Sequence, residues 1–285
     1  MDALMIVCRS ISEIRSSIAA SKKPTDTIGL VPTMGFLHNG HMALVEQAKA
    51  KASCVIATIY VNPSQFGEAT DLDAYPRNES RDLVMLEAAG VDTVLIPDTG
   101  DIYPEGDETI VETTRLANTL HGKVRPGHFR GVTTVVARLF NIVQPDFAFF
   151  GEKDFQQLQV IKRMVRDLHF PIQIIGVPTV READGLAMSS RNVRLPEADR
   201  AAAVVLSQAL TQAAHLARQE TTISAIDDLI RGMINSESRA DLSAVDIVWS
   251  DTLEPAQGPL TKPIAIMLSA QFGDVLLIDQ REIAP

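Results

Sequence analysis

Residues 53–61, Ser-Cys-Val-Ile-Ala-Thr-Ile-Tyr-Val, form an almost unbroken apolar run, and that run limits the folds open to this chain. A strand with one wet face alternates apolar and polar residues; a strand that is apolar throughout is buried on both faces, as in a parallel sheet covered by helices. Residues 28–31, 91–96, 147–150 and 172–177 read the same way. Between them, 9–20, 41–51, 79–89, 131–143 and 154–168 carry helical periodicity, with Ile11, Ile14 and Ile18 on one face of the first and Lys22-Lys23-Pro24 leading out of it. Strand and helix in alternation predict an α/β, doubly wound, Rossmann-like parallel sheet, which binds ligands beyond the carboxyl ends of its strands.

After about Ser190 the pattern changes. Residues 197–218, rich in alanine, and 223–234 read as helices, followed by strand-like pieces at 245–249, 264–268 and 275–278. Helices followed by strands predict a smaller α+β domain. The boundary falls near 176–186, giving a first domain over 1–180 and a second over 181–285.

The totals narrow the function classes. A chain of 285 residues, 46% hydrophobic and 22% charged, has the composition of a soluble globular protein with room for two domains. Its net charge of −10 argues against a general nucleic-acid binder. No apolar run approaches the roughly 18 residues of a membrane span. The two cysteines, Cys8 and Cys54, form no CxxC pair and lie in apolar surroundings, which points to buried thiols in a reducing cytoplasm. Asp2 and the lack of a basic lead-in do not fit a signal peptide.

The apolar run 28–31 leads into Pro32-Thr33-Met34-Gly35-Phe36-Leu37-His38-Asn39-Gly40-His41 and then a helical pattern. Glycines allow a tight turn and close approach of a ligand. A strand, glycine turn and helix start expose backbone N–H groups and the positive helix end to a phosphate. His38 and His41, three apart, are expected to share a helix face and point at that phosphate. Two alternatives stand beside this reading: a capped surface loop, and a two-histidine metal site, for which no nearby Cys or acidic cluster supplies further ligands.

Four further segments carry candidate chemistry. Asn62-Pro63-Ser64-Gln65 is a turn after a strand, with Gln65 offering a donor and an acceptor; alone it reads as a surface turn. The window 113–145 holds no Asp or Glu in a chain that has 36, yet it contains Arg115, Lys123, Arg125, Arg130, Arg138, His121 and His128. That local positive field suits an anionic ligand, whereas a solvated helix face is the plain reading of Arg138, and residues 125–131 look loop-like. Gly151-Glu152-Lys153-Asp154 joins a strand to a helix, with Asp154 as a cap and Lys153 a point charge for phosphate facing the same crevice as the histidines; the plain reading is a capped helix with a solvated Lys–Glu pair. Met188-Ser189-Ser190-Arg191 places two hydroxyls and a guanidinium on one loop, able to grip a phosphate, although Ser-Ser-Arg by itself is common.

Taken in order over 31–192, the five segments resemble those of the pantothenate synthetase (pantoate–β-alanine ligase) family, whose Pro-Thr-Met-Gly-x-Leu-His-x-Gly-His is a form of the HIGH nucleotide-binding signature shared with class I aminoacyl-tRNA synthetases. The segments Asp251–Pro255 and Leu277–Asp279 are also similar to the family's; Val248-Trp249-Ser250 and Gln280-Arg281 depart from it. The resemblance implies ATP-dependent ligation of pantoate and β-alanine through a pantoyl adenylate, with AMP and pyrophosphate released. It implies ATP contacts at Met34, Gly35, Phe36, Leu37, His38, Asn39, Gly40, His41, Gly151, Glu152, Lys153, Asp154, Val180, Met188, Ser189, Ser190 and Arg191. His41 matches the family's proton donor, with His38 and Lys153 beside it in catalysis, and Gln65 and Gln157 match its pantoate-holding glutamines. Magnesium and a cytoplasmic homodimer are implied as well. Magnesium usually rides on substrate phosphates, so no protein ligand is assigned, Asp82 being the one candidate considered. Another nucleotidyltransferase and a non-catalytic nucleotide sensor are the rival readings.

Overall fold

Six parallel strands make the sheet of the first unit: β1 (Ile6–Cys8), β2 (Ile28–Thr33), β3 (Cys54–Ile59), β4 (Thr93–Leu95), β5 (Phe147–Gly151) and β6 (Gln173–Val177), in the spatial order β1-β4-β3-β2-β5-β6. In this computed structural model residues 4–21, 23–67 and 72–285 are described; Asp2 and Lys22 lie outside the described residues. The helices are α1 (Ile11–Ser21), α2 (Asn39–Lys51), α3 (Glu79–Ala88), the single turns α4 (Thr99–Ile102) and α5 (His121–Val124), α6 (His128–Val143) and α7 (Phe155–Asp167).

Strand parity builds two cores. Ile28, Leu30, Ile56, Ala148 and Phe150 point to one face, where α1, α6 and α7 cover them with Ile14, Val136, Phe140, Leu158 and Ile161. Val31, Val55, Ala57, Ile59 and Phe149 point to the other, under Leu44, Val45 and Ala48 of α2 and Leu86 of α3. Two apolar faces per strand explain the unbroken runs. The strand order reverses between the paired neighbours β2 and β5, and ligands of such sheets bind at that switch point. The turn beginning at Met34 leaves β2 there, and Gly151 ends β5 there.

Several boundaries differ from expectation. The edge strand β1 was not anticipated; it is three residues long, with Ile6 47% and Val7 40% exposed, too short for a periodic signal. Helix α6 starts at His128, not Gly131, because Gly127 at φ +81 turns the chain into it, so His128, Phe129 and Arg130 are helical, not loop. Glu152–Asp154 form a 3-10 turn, and Asp154 directly precedes the α-helix that begins at Phe155.

The second unit comprises Glu152–Phe155 and Thr179–Pro285. Its helices are α8 (Glu197–Ala202), α9 (Val205–Leu216) and α10 (Ile223–Asn235); β7 (Asp241–Trp249), β8 (Ile264–Phe272) and β9 (Val275–Ile283) form an antiparallel sheet in that order. The single helix expected over 197–218 is two helices, with Leu206 N–H bonding back to Ala203 O in a tighter i to i+3 turn where they meet. Leu206, Leu210, Ile226, Ile230 and Ile234 then pack on Ile264, Ile266 and Leu268. All three strands run farther than expected, from Asp241 in β7, to Phe272 in β8 and to Ile283 in β9, taking in polar residues such as Gln271 and Arg281.

Candidate functional site

Thr33 closes β2, donating its hydroxyl to Thr58 O at 2.6 Å and receiving Gly35 N–H at 3.2 Å. The chain then passes through positive φ at Gly35 (+79°) and Phe36 (+50°). A Cβ on Gly35 would stand 3.0 Å from both Asp82 Oδ2 and Ile59 Cγ2, so the turn needs glycine for space as well as conformation. Asp82 on α3 is 1% exposed. Its Oδ2 receives Phe36 N–H and its Oδ1 receives Leu37 N–H, each at 2.7 Å. That carboxylate holds a backbone turn, a different task from the metal ligation considered for it.

His38 is the N-cap of α2, its Nδ1 accepting Gly40 N–H at 3.1 Å, and His41 Nδ1 accepts His38 N–H at 3.2 Å. The ring centroids stand 4.1 Å apart. The two imidazoles do come together, but through a reciprocal capping box; His38 lies outside the helix, so a shared helix face is not the cause. The expected cluster of open amides is corrected too. The N–H groups of Gly35, Phe36, Leu37, His38, Gly40 and His41 all have partners within the chain. An Nδ1 that accepts a backbone N–H places the ring proton of a neutral imidazole on Nε2.

The Pro63–Gln65 turn follows β3, capped by Asn62, whose Oδ1 receives Ser64 N–H at 3.3 Å. Gln65 Nε2 reaches Met34 Sδ at 3.1 Å, which joins two of the segments found in the sequence. His128 Nδ1 shares a hydrogen bond with Gln65 O at 2.8 Å. Beside Met34 and Gly35, a cavity of about 370 Å³ opens at the ends of β2, β3 and β4, walled also by Arg77, Asp82 and Asp98. The basic window is partly committed elsewhere: Arg138 forks onto Asp107 at 2.7 Å and lies over the Tyr103 ring. It is neither solvated, as the plain reading had it, nor offered to an anion. Gln156 is 2% exposed and fully engaged with His121 N, Leu116 O and Thr119 O, whereas its neighbour Gln157 is half-buried.

In the second unit, Val180 and Met188 face each other across a hairpin, Met188 N–H donating to Val180 O at 2.9 Å. Ser189 caps the 3-10 turn Ser190–Arg194, its Oγ receiving Arg191 N–H at 3.2 Å. The hairpin is braced from both sides. Arg181 forks onto Asp279 of β9 at 2.7 and 3.0 Å, and Arg200 reaches Glu182 and Asp184, each at 2.7 Å. The Arg200 guanidinium holds the Asp184 carboxyl below the usual range. The Glu152–Asp154 turn, carrying Lys153, and the Ser190–Arg194 turn both lie against β9. Nothing in the local sequence marked Asn62, Tyr103, Asp82 or Arg181 for these supporting parts, because each acts through a partner distant in the chain.

Comparison with known proteins assigns the family. Residues 6–282 match the family model described as Pantoate-beta-alanine ligase. The chain is 48% identical to the pantothenate synthetase of Bartonella henselae over 277 residues, covering 97% of this chain and 98% of the relative. It is 47% identical to that of Agrobacterium fabrum over 280 residues, with 98% and 96% covered. Among solved structures it is similar to the pantothenate synthetase of Thermus thermophilus, with a TM-score of 0.93, 42% identity, and 99% and 100% covered. It is also similar to the pantoate-beta-alanine ligase of Francisella tularensis complexed with beta-gamma ATP and beta-alanine, with a TM-score of 0.78, 35% identity and 97% of each chain covered. Identity at this level along nearly the whole chain, on a doubly wound sheet with a glycine-histidine turn at its switch point, makes this chain a member of the pantoate–β-alanine ligase family, the enzymes that join pantoate to β-alanine to form pantothenate.

Proposed function

We propose that the chain works in two steps on ATP, pantoate and β-alanine. A pantoate carboxylate oxygen attacks the α-phosphorus of ATP, the bond to the pyrophosphate oxygen breaks, and pantoyl adenylate forms. The β-alanine amine then attacks the acyl carbon, AMP leaves with the carboxylate oxygen, and the amine proton is lost to solvent. Such transfers need alignment and charge neutralisation more than a protein nucleophile.

His38 and His41 donate hydrogen bonds through Nε2 to the phosphates, with His41, the match to the family's proton donor, hydrogen-bonding the departing group. The observation that carries this reading is the reciprocal imidazole cap at the end of β2, which holds two ring donors 4.1 Å apart by centroid and leaves the backbone amides engaged. Met34, Gly35, Phe36, Leu37, Asn39 and Gly40 shape the nucleotide turn, and Gly151, Glu152 and Asp154 do so around Lys153. Val180 and Met188 bind the nucleotide; Lys153, Ser189, Ser190 and Arg191 grip the triphosphate as pyrophosphate leaves. Gln65 and Gln157 hold pantoate. Among the described residues no three His, Cys, Asp or Glu side chains gather to hold a metal. A magnesium ion would ride on the triphosphate oxygens and neutralise charge there. We assign the chain to the cytoplasm as a homodimer, with the 1–180 region binding ATP and pantoate and the 181–285 region closing on them.

The test is a coupled pyrophosphate assay with ATP and magnesium, run with and without each acid and amine. Pyrophosphate release that requires pantoate, and AMP formation with pantothenate on adding β-alanine, support the reading. A dinucleotide product, or ATP binding without pantoate-dependent release, overturns it.

A further inference from the structure

We propose that Tyr103 is a positioning residue for Gln65: its hydroxyl, together with Ser64 N–H and Gly131 O, holds the sense of the Asn62 carboxamide, which sets which end of the Gln65 carboxamide faces the acid substrate. This rests on the reading of Gln65 as the pantoate ligand.

A carboxamide has nearly the same shape when its oxygen and nitrogen are exchanged, so only its hydrogen bonds choose between the two orientations. Asn62 is 1% exposed, and its Oδ1 receives Ser64 N–H at 3.3 Å, the Tyr103 hydroxyl at 2.8 Å and the Ser64 hydroxyl at 2.9 Å, the two hydroxyls standing 2.8 Å apart. With the oxygen fixed on that side, Nδ2 turns the other way and donates to Gln65 Oε1 at 3.0 Å and to Gly131 O at 3.2 Å. Gln65 must then present Nε2–H. Among the described residues its contact is Met34 Sδ at 3.1 Å, and a thioether is a weak acceptor, so a carboxylate or hydroxyl oxygen of the substrate displaces it at little cost.

The backbone of the Gln65 turn is fixed independently. A Cβ on Gly131 would stand 2.4 Å from Ser64 O, so α6 seats against the turn only with glycine there. His128 Nδ1 holds Gln65 O from the same helix. What is left to decide is the amide's sense. Tyr103 is itself held: the Arg138 guanidinium lies 4.4 Å from its ring centroid while forking onto Asp107. Burial raises the Tyr103 pKa, which keeps the hydroxyl a donor.

The test compares Tyr103→Phe, Gln65→Ala and the double variant under saturating ATP. Tyr103→Phe removes one O–H and keeps the ring over which Arg138 lies. We expect the pantoate KM to rise about five- to tenfold, the scale of one hydrogen bond, with the ATP KM changed less than about twofold. In the Gln65→Ala background the same substitution should add less than about twofold, since coupled groups do not add. A raised KM in Gln65→Ala beside an unchanged one in Tyr103→Phe, or fully multiplying effects, overturns the relay alone. An unchanged pantoate KM in Gln65→Ala overturns the reading of Gln65 and the relay with it. Should Tyr103→Phe melt early, Ser64→Ala removes the second hydroxyl on Asn62 from an exposed residue; it should raise the pantoate KM in the same selective way, and no rise overturns the proposal.

Discussion

Asp82 receives the backbone N–H of Leu37 at 2.7 Å across 45 residues of chain, and its other oxygen receives that of Phe36. One carboxylate therefore closes a turn in which two successive residues have positive φ. Asp82→Ala leaves two sheltered N–H groups without acceptors, each costing about 1–3 kcal/mol. We expect urea denaturation to show a loss of about 2–4 kcal/mol and the ATP KM to rise. Asp82→Asn, which keeps one acceptor oxygen, should lose less on both counts. An unchanged urea midpoint in Asp82→Ala would mean that the turn holds itself.

The capping and chemical parts of the histidine pair can be separated. Asparagine is a good N-cap, so His38→Asn should melt within about 2 °C of the parent, a change of under about 0.5 kcal/mol. It lacks the Nε2 donor, and pantoate-dependent pyrophosphate release should fall by about 100-fold or more. His41→Ala should lower the same rate by about 100-fold or more, the scale of a lost fixed donor. Near-parent turnover in either variant, measured by the coupled assay, would reduce that histidine to a structural cap.

Arg181 and Asp279 brace the hairpin that carries Val180 and Met188. Asp279 is 2% exposed on its side chain and Arg181 28%. Arg181→Met strands a buried carboxylate, which costs about 3–5 kcal/mol in such pairs; the partly exposed guanidinium puts the expectation near about 3 kcal/mol. The double variant Arg181→Met with Asp279→Leu should recover most of that loss in chemical denaturation. Additive losses would show that the two groups do not act as a pair.

Alkaline pH provides a separate test of burial. Tyr60 has its pKa raised from 10 to about 12, chiefly by burial, and Tyr103 is raised by the same cause. Both hydroxyls are neutral in the folded and unfolded chain below pH 10, so these groups contribute no slope there. Above pH 10 the unfolded chain loses its tyrosine protons first, and stability should fall with rising pH up to about 12. Tyr60→Phe should flatten that decline in urea melts taken at stepped pH. An undiminished slope would place the cause elsewhere.

The parts that could be read from the sequence were those that neighbours decide. The unbroken run at β3 gave a strand buried on both faces, and the alternation with helices gave the doubly wound sheet, because side-chain period and burial are coupled within a few residues. The Gly-His turn and its resemblance gave the family. What periodicity missed was short or nonlocal: β1 at an exposed edge, the break between α8 and α9 at one tightened hydrogen bond, and the start of α6 at a left-handed Gly127.

Within the candidate site the division is sharper. The sequence by itself determined which polar residues follow which strands, and hence that His38, His41 and Gln65 leave the carboxyl ends of a parallel sheet. Only the tertiary structure decided what their atoms are free to do. The amides of the glycine-histidine turn are taken by Thr33, Asp82 and the two imidazoles, and the Gln65 carboxamide oxygen is taken by Asn62, itself held by Ser64 and Tyr103. The reason is physical: a local pattern reports which face a residue occupies, but a hydrogen bond between residues 45 or 41 positions apart exists only once the sheet has brought their strands together.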